Sequence, residues 1–180
     1  MKLPKSIAVS ALTIAIMSAT PLHAATLTTP AAHLCTLSIP TTDTKVRPKA
    51  TGFRNEGTSS AFVICAFDSN PAQGYYDAVE TSFDPVLAGL TFASLDAQPH
   101  AFACTGVNSF PGGATAAPMQ YVQKTVVIDP ASDPYPYVEV DWTKADFGGA
   151  EHIPTSGVFS VTCLLPPQVS IMFGVMVTDS

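Results

Sequence analysis

The chain has 180 residues, 47% of them apolar and 12% charged, and its fourteen acidic and eight basic side chains leave a net charge of −6. This length makes one domain with room for a real core, and the acidic balance excludes the basic face that a nucleic-acid backbone or an anionic membrane surface requires. With 16 prolines and no long segment combining helical apolar spacing with caps, a helical protein is excluded as well.

Residues 1–24 read as a signal peptide. Lys2 and Lys5 form a basic head and Ile7 to Met17 an apolar core, shorter than the roughly 20 residues a membrane span needs. Cleavage is expected after Ala24 or one residue later. No other stretch is long and apolar enough to span a bilayer, so no membrane span remains after cleavage. Removing the two leader lysines from the eight basic residues leaves six against fourteen acidic ones, a net charge of −8. The expected location is secreted or periplasmic in a bacterium.

Residues 25–44 are rich in Thr, Ala and Pro and read as an N-terminal arm tied down by Cys35, followed by one all-β domain over 45–180. Lys45-Val46-Arg47-Pro48-Lys49 places three cations beside a proline, the pattern of a solvated edge strand. Strand signals run from Val46 to Phe53, and Asn55 to Ser60 is a turn by composition. Ala61 to Phe67 is apolar on both faces and reads as a core strand ended by Asp68-Ser69-Asn70-Pro71. Asp77 to Phe83 is weakly patterned, and Asp84 to Gly89 suggests a turn of helix or a loop. Two short strands, Gly89 to Leu95 and Phe102 to Thr105, precede a loop from Asn108 to Pro118.

Lys124 to Ile128 alternates, and Tyr137 to Trp142 alternates more cleanly. Val138, Val140 and Trp142 face inward there, with Tyr137, Glu139 and Asp141 outward. After a loop from Lys144 to Gly157, Phe159, Val161, Cys163 and Leu165 share one face, and Val158, Ser160, Thr162 and Leu164 the other. Pro166-Pro167 halts that strand, and Ser170 to Val177 resumes at once as a second, deeply buried one. The short interval predicts that these two strands are antiparallel neighbours. Short strands between Pro-, Gly- and Asp-rich turns define an antiparallel β-sandwich, with a barrel-like variant as the runner-up.

Cys35, Cys65, Cys104 and Cys163 are an even set in an exported chain and read as two disulfides. Three pairings exist, of which Cys35–Cys65 with Cys104–Cys163 is favoured, because it ties the arm to an early strand and a middle strand to the late one. No cysteine pair has metal-ligand spacing and His33, His100 and His152 are scattered, so no metal or cofactor is expected. Asp129, Asp133, Asp141 and Asp146 match no calcium-loop spacing. There is no G-x-S-x-G elbow around Ser156-Gly157 and no phosphate loop around Gly112-Gly113.

The carboxylate pairs Asp77/Glu80 and Glu139/Asp141 keep a secreted hydrolase in view as a minor alternative. The stronger reading is a non-enzymatic structural or interaction module. An alternative within it is a carbohydrate-binding module that uses the aromatic and acidic segment 133–142. Its binding residues would be Tyr135, Tyr137, Glu139 and Asp141, with a glycan or another exported protein as partner.

The motifs Phe53-x-Asn55-x-Gly57, Val63-x-Cys65, Cys104 and Val161-x-Cys163-x-Leu165-Pro166-Pro167, followed by a final strand, resemble a family of uncharacterised exported bacterial proteins, mainly gammaproteobacterial. Ala66 stands where that family usually has proline after the cysteine, and Phe173-Gly174-Val175 where a Gly-Tyr pair is typical. The resemblance implies export and a disulfide-bonded β-sandwich, and it brings no catalytic residues.

Overall fold

Every second residue of β10 (Val158–Leu165) is apolar, and Phe159, Val161, Cys163 and Leu165 are all buried. Such a strand needs partners on both edges and a second layer over its apolar face. The computed structural model describes residues 25–39, 45–67, 84–109, 119–132, 137–148 and 158–179. The expected signal peptide, the expected turn at 68–71, the segment 77–83 with its Asp77/Glu80 pair, Gly112-Gly113, Asp133, Tyr135, His152 and Ser156-Gly157 lie outside them.

Two antiparallel sheets supply those partners. Sheet II takes the order β2 (Cys35–Leu37), β5 (Ala61–Phe67), β10, β7 (His100–Ser109), β8 (Gln120–Ile128). Sheet I takes the order β3 (Val46–Lys49), β4 (Gly52–Asn55), β11 (Val169–Asp179), β6 (Asp84–Ser94), β9 (Tyr137–Thr143), with β1 (Ala25–Pro30) also on β11. β6 runs along one side of β11, so β4, opposite Val169 to Ile171, and β1, opposite Phe173 to Thr178, share the other. The sheets stay separate, which makes the protein an all-β sandwich and not the barrel.

The disulfides lie within sheet II. Cys35 bonds Cys65 across β2 and β5, and Cys104 bonds Cys163 across β7 and β10, the pairing favoured from the sequence. Each pair is directly opposed in the register.

β10 and β11 are not neighbours, contrary to expectation. Pro166 and Pro167 break the ladder, and Gln168 takes a left-handed φ of 61°, so the chain turns out of sheet II and into sheet I. The corner is held from both sides. The Gln168 N–H donates to the Asn55 carbonyl at 2.7 Å, and its own carbonyl accepts the Leu95 N–H at 2.8 Å. Asn55 is fully buried. Its Nδ2 donates to the carbonyls of Leu165 and Ser59, both at 2.9 Å, and its Oδ1 accepts the Gly57 N–H at 2.9 Å.

Residues 25–37 are structured beyond what an arm implies. β1 adds to sheet I, and α1 (Ala31–Leu34), a single turn, crosses to β2 in sheet II while burying Ala31 and Leu34. Gly174 makes room for that plug, because a Cβ there would collide with Leu34 and lie 3.0 Å from the Phe67 ring. The segment expected as a helical turn or loop from Asp84 is the start of β6, whose Pro85 pairs next to a register shift in β11, where a missing N–H is tolerated. Asn108 and Ser109 end β7, and Lys144–Phe147 forms a 3₁₀ turn.

The inner faces meet around Trp142, which has no exposed surface. Its indole reaches from β9 in sheet I to β7 in sheet II, where a Cβ on Gly106 would lie 2.5 Å from Cδ1, and its Nε1 donates to the Val122 carbonyl at 3.0 Å. Phe159 meets Phe67 and Phe147 at ring separations of 5.5 and 6.0 Å, and Phe92 meets Phe102 edge-on at 5.3 Å. Among the described residues no helix is long and apolar enough to cross a membrane.

Candidate functional site on the outer face of sheet I

β9 is the edge of sheet I, and its alternation sets its two faces. Val138 and Val140 are half-buried and pack on the core with Trp142, whereas Tyr137 is 51% exposed and Glu139 is exposed beside it. These are the faces expected from the sequence. Tyr135, expected to continue the row, lies outside the described residues.

The strand beneath shapes the row. Tyr137, Glu139 and Asp141 pair in register with Ala93, Thr91 and Gly89 of β6. Those three small residues also point outward, yet Thr91 and Ala93 are only 5% and 8% exposed. Gly89 has a specific role: Asp141 Oδ1 lies where a Cβ on residue 89 would be. The Asp141 carboxylate therefore lies flat over β6, and its buried Oδ1 has no hydrogen-bond partner.

The electrostatics follow from this geometry. Burial pushes the Asp141 carboxyl above the usual range, and nearby Lys124 only partly opposes it. Burial raises Glu139 too, with the charge of Asp141 as the second cause. Lys124 comes from β8 and ties the edges of the two sheets together: its Nζ donates to the Asp141 carbonyl at 2.7 Å and to Asp146 Oδ2 at 2.8 Å. Burial pushes Asp146 upward, but Lys124 and the Thr143 N–H, which donates to Oδ2 at 2.7 Å, outweigh it and hold the carboxyl low.

The opposite edge of the same face is cationic. β3 is the edge strand that its charges and proline suggested, and Lys49, Arg47 and Arg54 converge on Glu56 at 3.0, 3.8 and 4.0 Å. Lys49 above all lowers the Glu56 carboxyl, despite burial, with Arg47 and Arg54 adding to it. The face thus runs from the cationic edge strand β3 to the acidic edge strand β9, about 19 Å apart at four strand spacings.

The other candidate groups do not gather. Asp129 accepts the Ala131 N–H in its own turn, and Asp96 is held down to about 2 by His100, with help from the Gln98 N–H, in the turn between β6 and β7. Among the described residues no three His, Cys, Asp or Glu side chains converge as metal ligands. An open groove of about 220 Å³ between Leu37, Val46 and Phe62 has no titratable lining, so it offers no acid or base.

Sequence reasoning missed Asn55 as an inter-sheet bridge and Gly89 as the bed of Asp141. An isolated glycine in a strand does signal close approach, but the approaching group comes from a neighbour that only the register reveals. Comparison with protein-family models, curated proteins and solved structures found no match. The class defined here is therefore structural: a two-disulfide antiparallel β-sandwich. The structure bears out the disulfide-bonded β-sandwich that the resemblance implied, and no comparison links the chain to an exported bacterial family.

Proposed function

We propose that the chain is an exported, non-enzymatic interaction module that holds a glycan or similar polyhydroxylated surface on the outer row of β9. The observation that carries this reading is the half-exposed Tyr137 ring in line with Glu139 and Asp141 above the small residues of β6. A ring stacks on the apolar face of a pyranose, and carboxylates accept from its hydroxyls. Export is supported by the leader pattern of residues 1–24 and by two disulfides, which persist in oxidising compartments.

The hydrolase alternative has less support. Glu139 and Asp141 lie two apart on one strand of an open face, and among the described residues no histidine approaches them to complete a nucleophile, base and orienting group.

A glycan array with the full chain tests the reading. Tyr137→Ala should abolish binding to any glycan retained while the chain stays folded at a modest cost in melting temperature, since about half of the residue's surface is already in water. Turnover of a glycoside that is lost in Glu139→Gln or Asp141→Asn with the fold intact would replace the module by an enzyme.

A further inference from the structure

We propose that the outer face of sheet II is a self-association surface through which two copies of this chain pair. Alternation turns every second residue of β5, β10, β7 and β8 outward. From Phe62 on β5 to Val127 on β8, none of these positions among the described residues is Asp, Glu, Lys or Arg. The chain carries fourteen acidic and eight basic residues, and the described ones lie on the other sheet, along the sides or at the strand ends. Four large side chains stand exposed on the neutral face instead: Phe62, Leu164, Tyr121 and Val127.

A charged partner finds no charge to pair with among the described residues of this face. Two acidic copies, by contrast, repel wherever their charges meet, and here they meet none.

The face is also complementary to itself. β10 is its middle strand, and a two-fold axis along β10 lays β5 of one copy over β7 of the other. The register shows what then meets. Ile64 and Thr105 are both partners of Thr162, and Ala66 and Val107 are both partners of Ser160. One step further along, Phe62 is level with Ala103. The β5 row reads Phe, Ile, Ala while the β7 row reads Ala, Thr, Val, so across these two rows each larger side chain is received by a smaller one and the reverse, while Leu164 on β10 meets its own copy at the axis. This is the reciprocal contact an isologous interface requires, within the roughly 30° at which aligned sheets pack. β5, β10 and β7 over seven residues, with three residues on each side where β2 faces β8, give roughly 430 Å² per copy at about 4.8 Å between strands and about 3.3 Å per residue, so about 860 Å² in all. That is below the roughly 1,000 Å² of a stable interface, so the dimer is a weak one that forms only as the concentration rises.

Sedimentation over a concentration series of the full chain reads the association. The wild type should pass from monomer to dimer. Phe62→Ala should weaken the dimer at least about tenfold, and Phe62→Ala with Ala103→Phe, which exchanges large for small, should restore it. Ala103→Lys should abolish it, and Tyr137→Ala, on the other sheet, should leave it unchanged. Trp142 fluorescence shows that each variant is folded. If Ala103→Lys fails to fold, Phe62→Lys, at a 49% exposed position, takes its place. A monomer at every concentration overturns the proposal, including one that is retained instead on an insoluble polysaccharide. So does a dimer that survives a lysine on this face or is lost with Tyr137→Ala. These outcomes do not depend on whether the β9 row binds a glycan.

Discussion

Removing the Asn55 side chain should destabilise the protein more than its modest size suggests. Asn55→Ala deletes three hydrogen bonds: buried ones to the Leu165 carbonyl and from the Gly57 N–H, and a part-buried one to the Ser59 carbonyl. Ser59 is exposed, so its carbonyl recovers a bond with water. The Leu165 carbonyl and the Gly57 N–H are left without a partner, and each unsatisfied buried group costs about 1–3 kcal/mol. A loss of about 3 kcal/mol follows, equivalent to a fall of roughly 6–12 °C in melting temperature for a chain of this size. Urea denaturation followed by Trp142 fluorescence measures it cleanly, because Trp142 is the single tryptophan and has no exposed surface. Asn55→Asp is the sharper companion. It keeps an acceptor for Gly57 but points a carboxylate at two carbonyl oxygens, so it should be at least as damaging at neutral pH and should recover in part in acid, where protonation returns one donor. A change below about 0.5 kcal/mol in Asn55→Ala, the range of ordinary surface substitutions, would show that water replaces the side chain and that the corner is held by its backbone bonds.

Gly106→Ala should cost about 2–4 kcal/mol through overpacking against the indole and loss of the Trp142–Val122 bond; Trp142→Phe in that background should recover part of it, and strictly additive effects in urea denaturation would show that the two residues do not compete for space. Asp141→Asn should raise the melting temperature at pH 7. Burial raises the folded pKa of Asp141 above its ordinary 3.8, so ionisation penalises the native state above the folded pKa and has no effect below the unfolded one. The gain should therefore vanish in melts below pH 3.8, and an equal gain at both pH values would assign it to packing.

The alternation of β10 and β9 was legible because period two is a local property: every side chain in a strand declares its face whatever lies beside it. The four cysteines were equally plain, and so was the cationic edge at Lys45 to Lys49. The candidate row was legible only as a list. Tyr137, Glu139 and Asp141 could be placed on one face, but the descent of Asp141 onto Gly89 and the resulting rise in its pKa depend on pairing with β6, a strand whose first residues looked like a loop.

Sequence alone determined that this is an all-β chain with inward rows at Phe159 to Leu165 and Val138 to Trp142, since burial on one side of a pleated strand forces that spacing. It did not determine which strand lies beside which. Two prolines were read as a tight link between neighbours, whereas the left-handed Gln168 and the buried Asn55 turn them into a passage between sheets, and no local signal distinguishes the two. The neutral outer face of sheet II likewise exists only after four strands from distant parts of the chain are set side by side. Each contributes a few uncharged residues that mean nothing singly, and tertiary pairing is what makes them a surface.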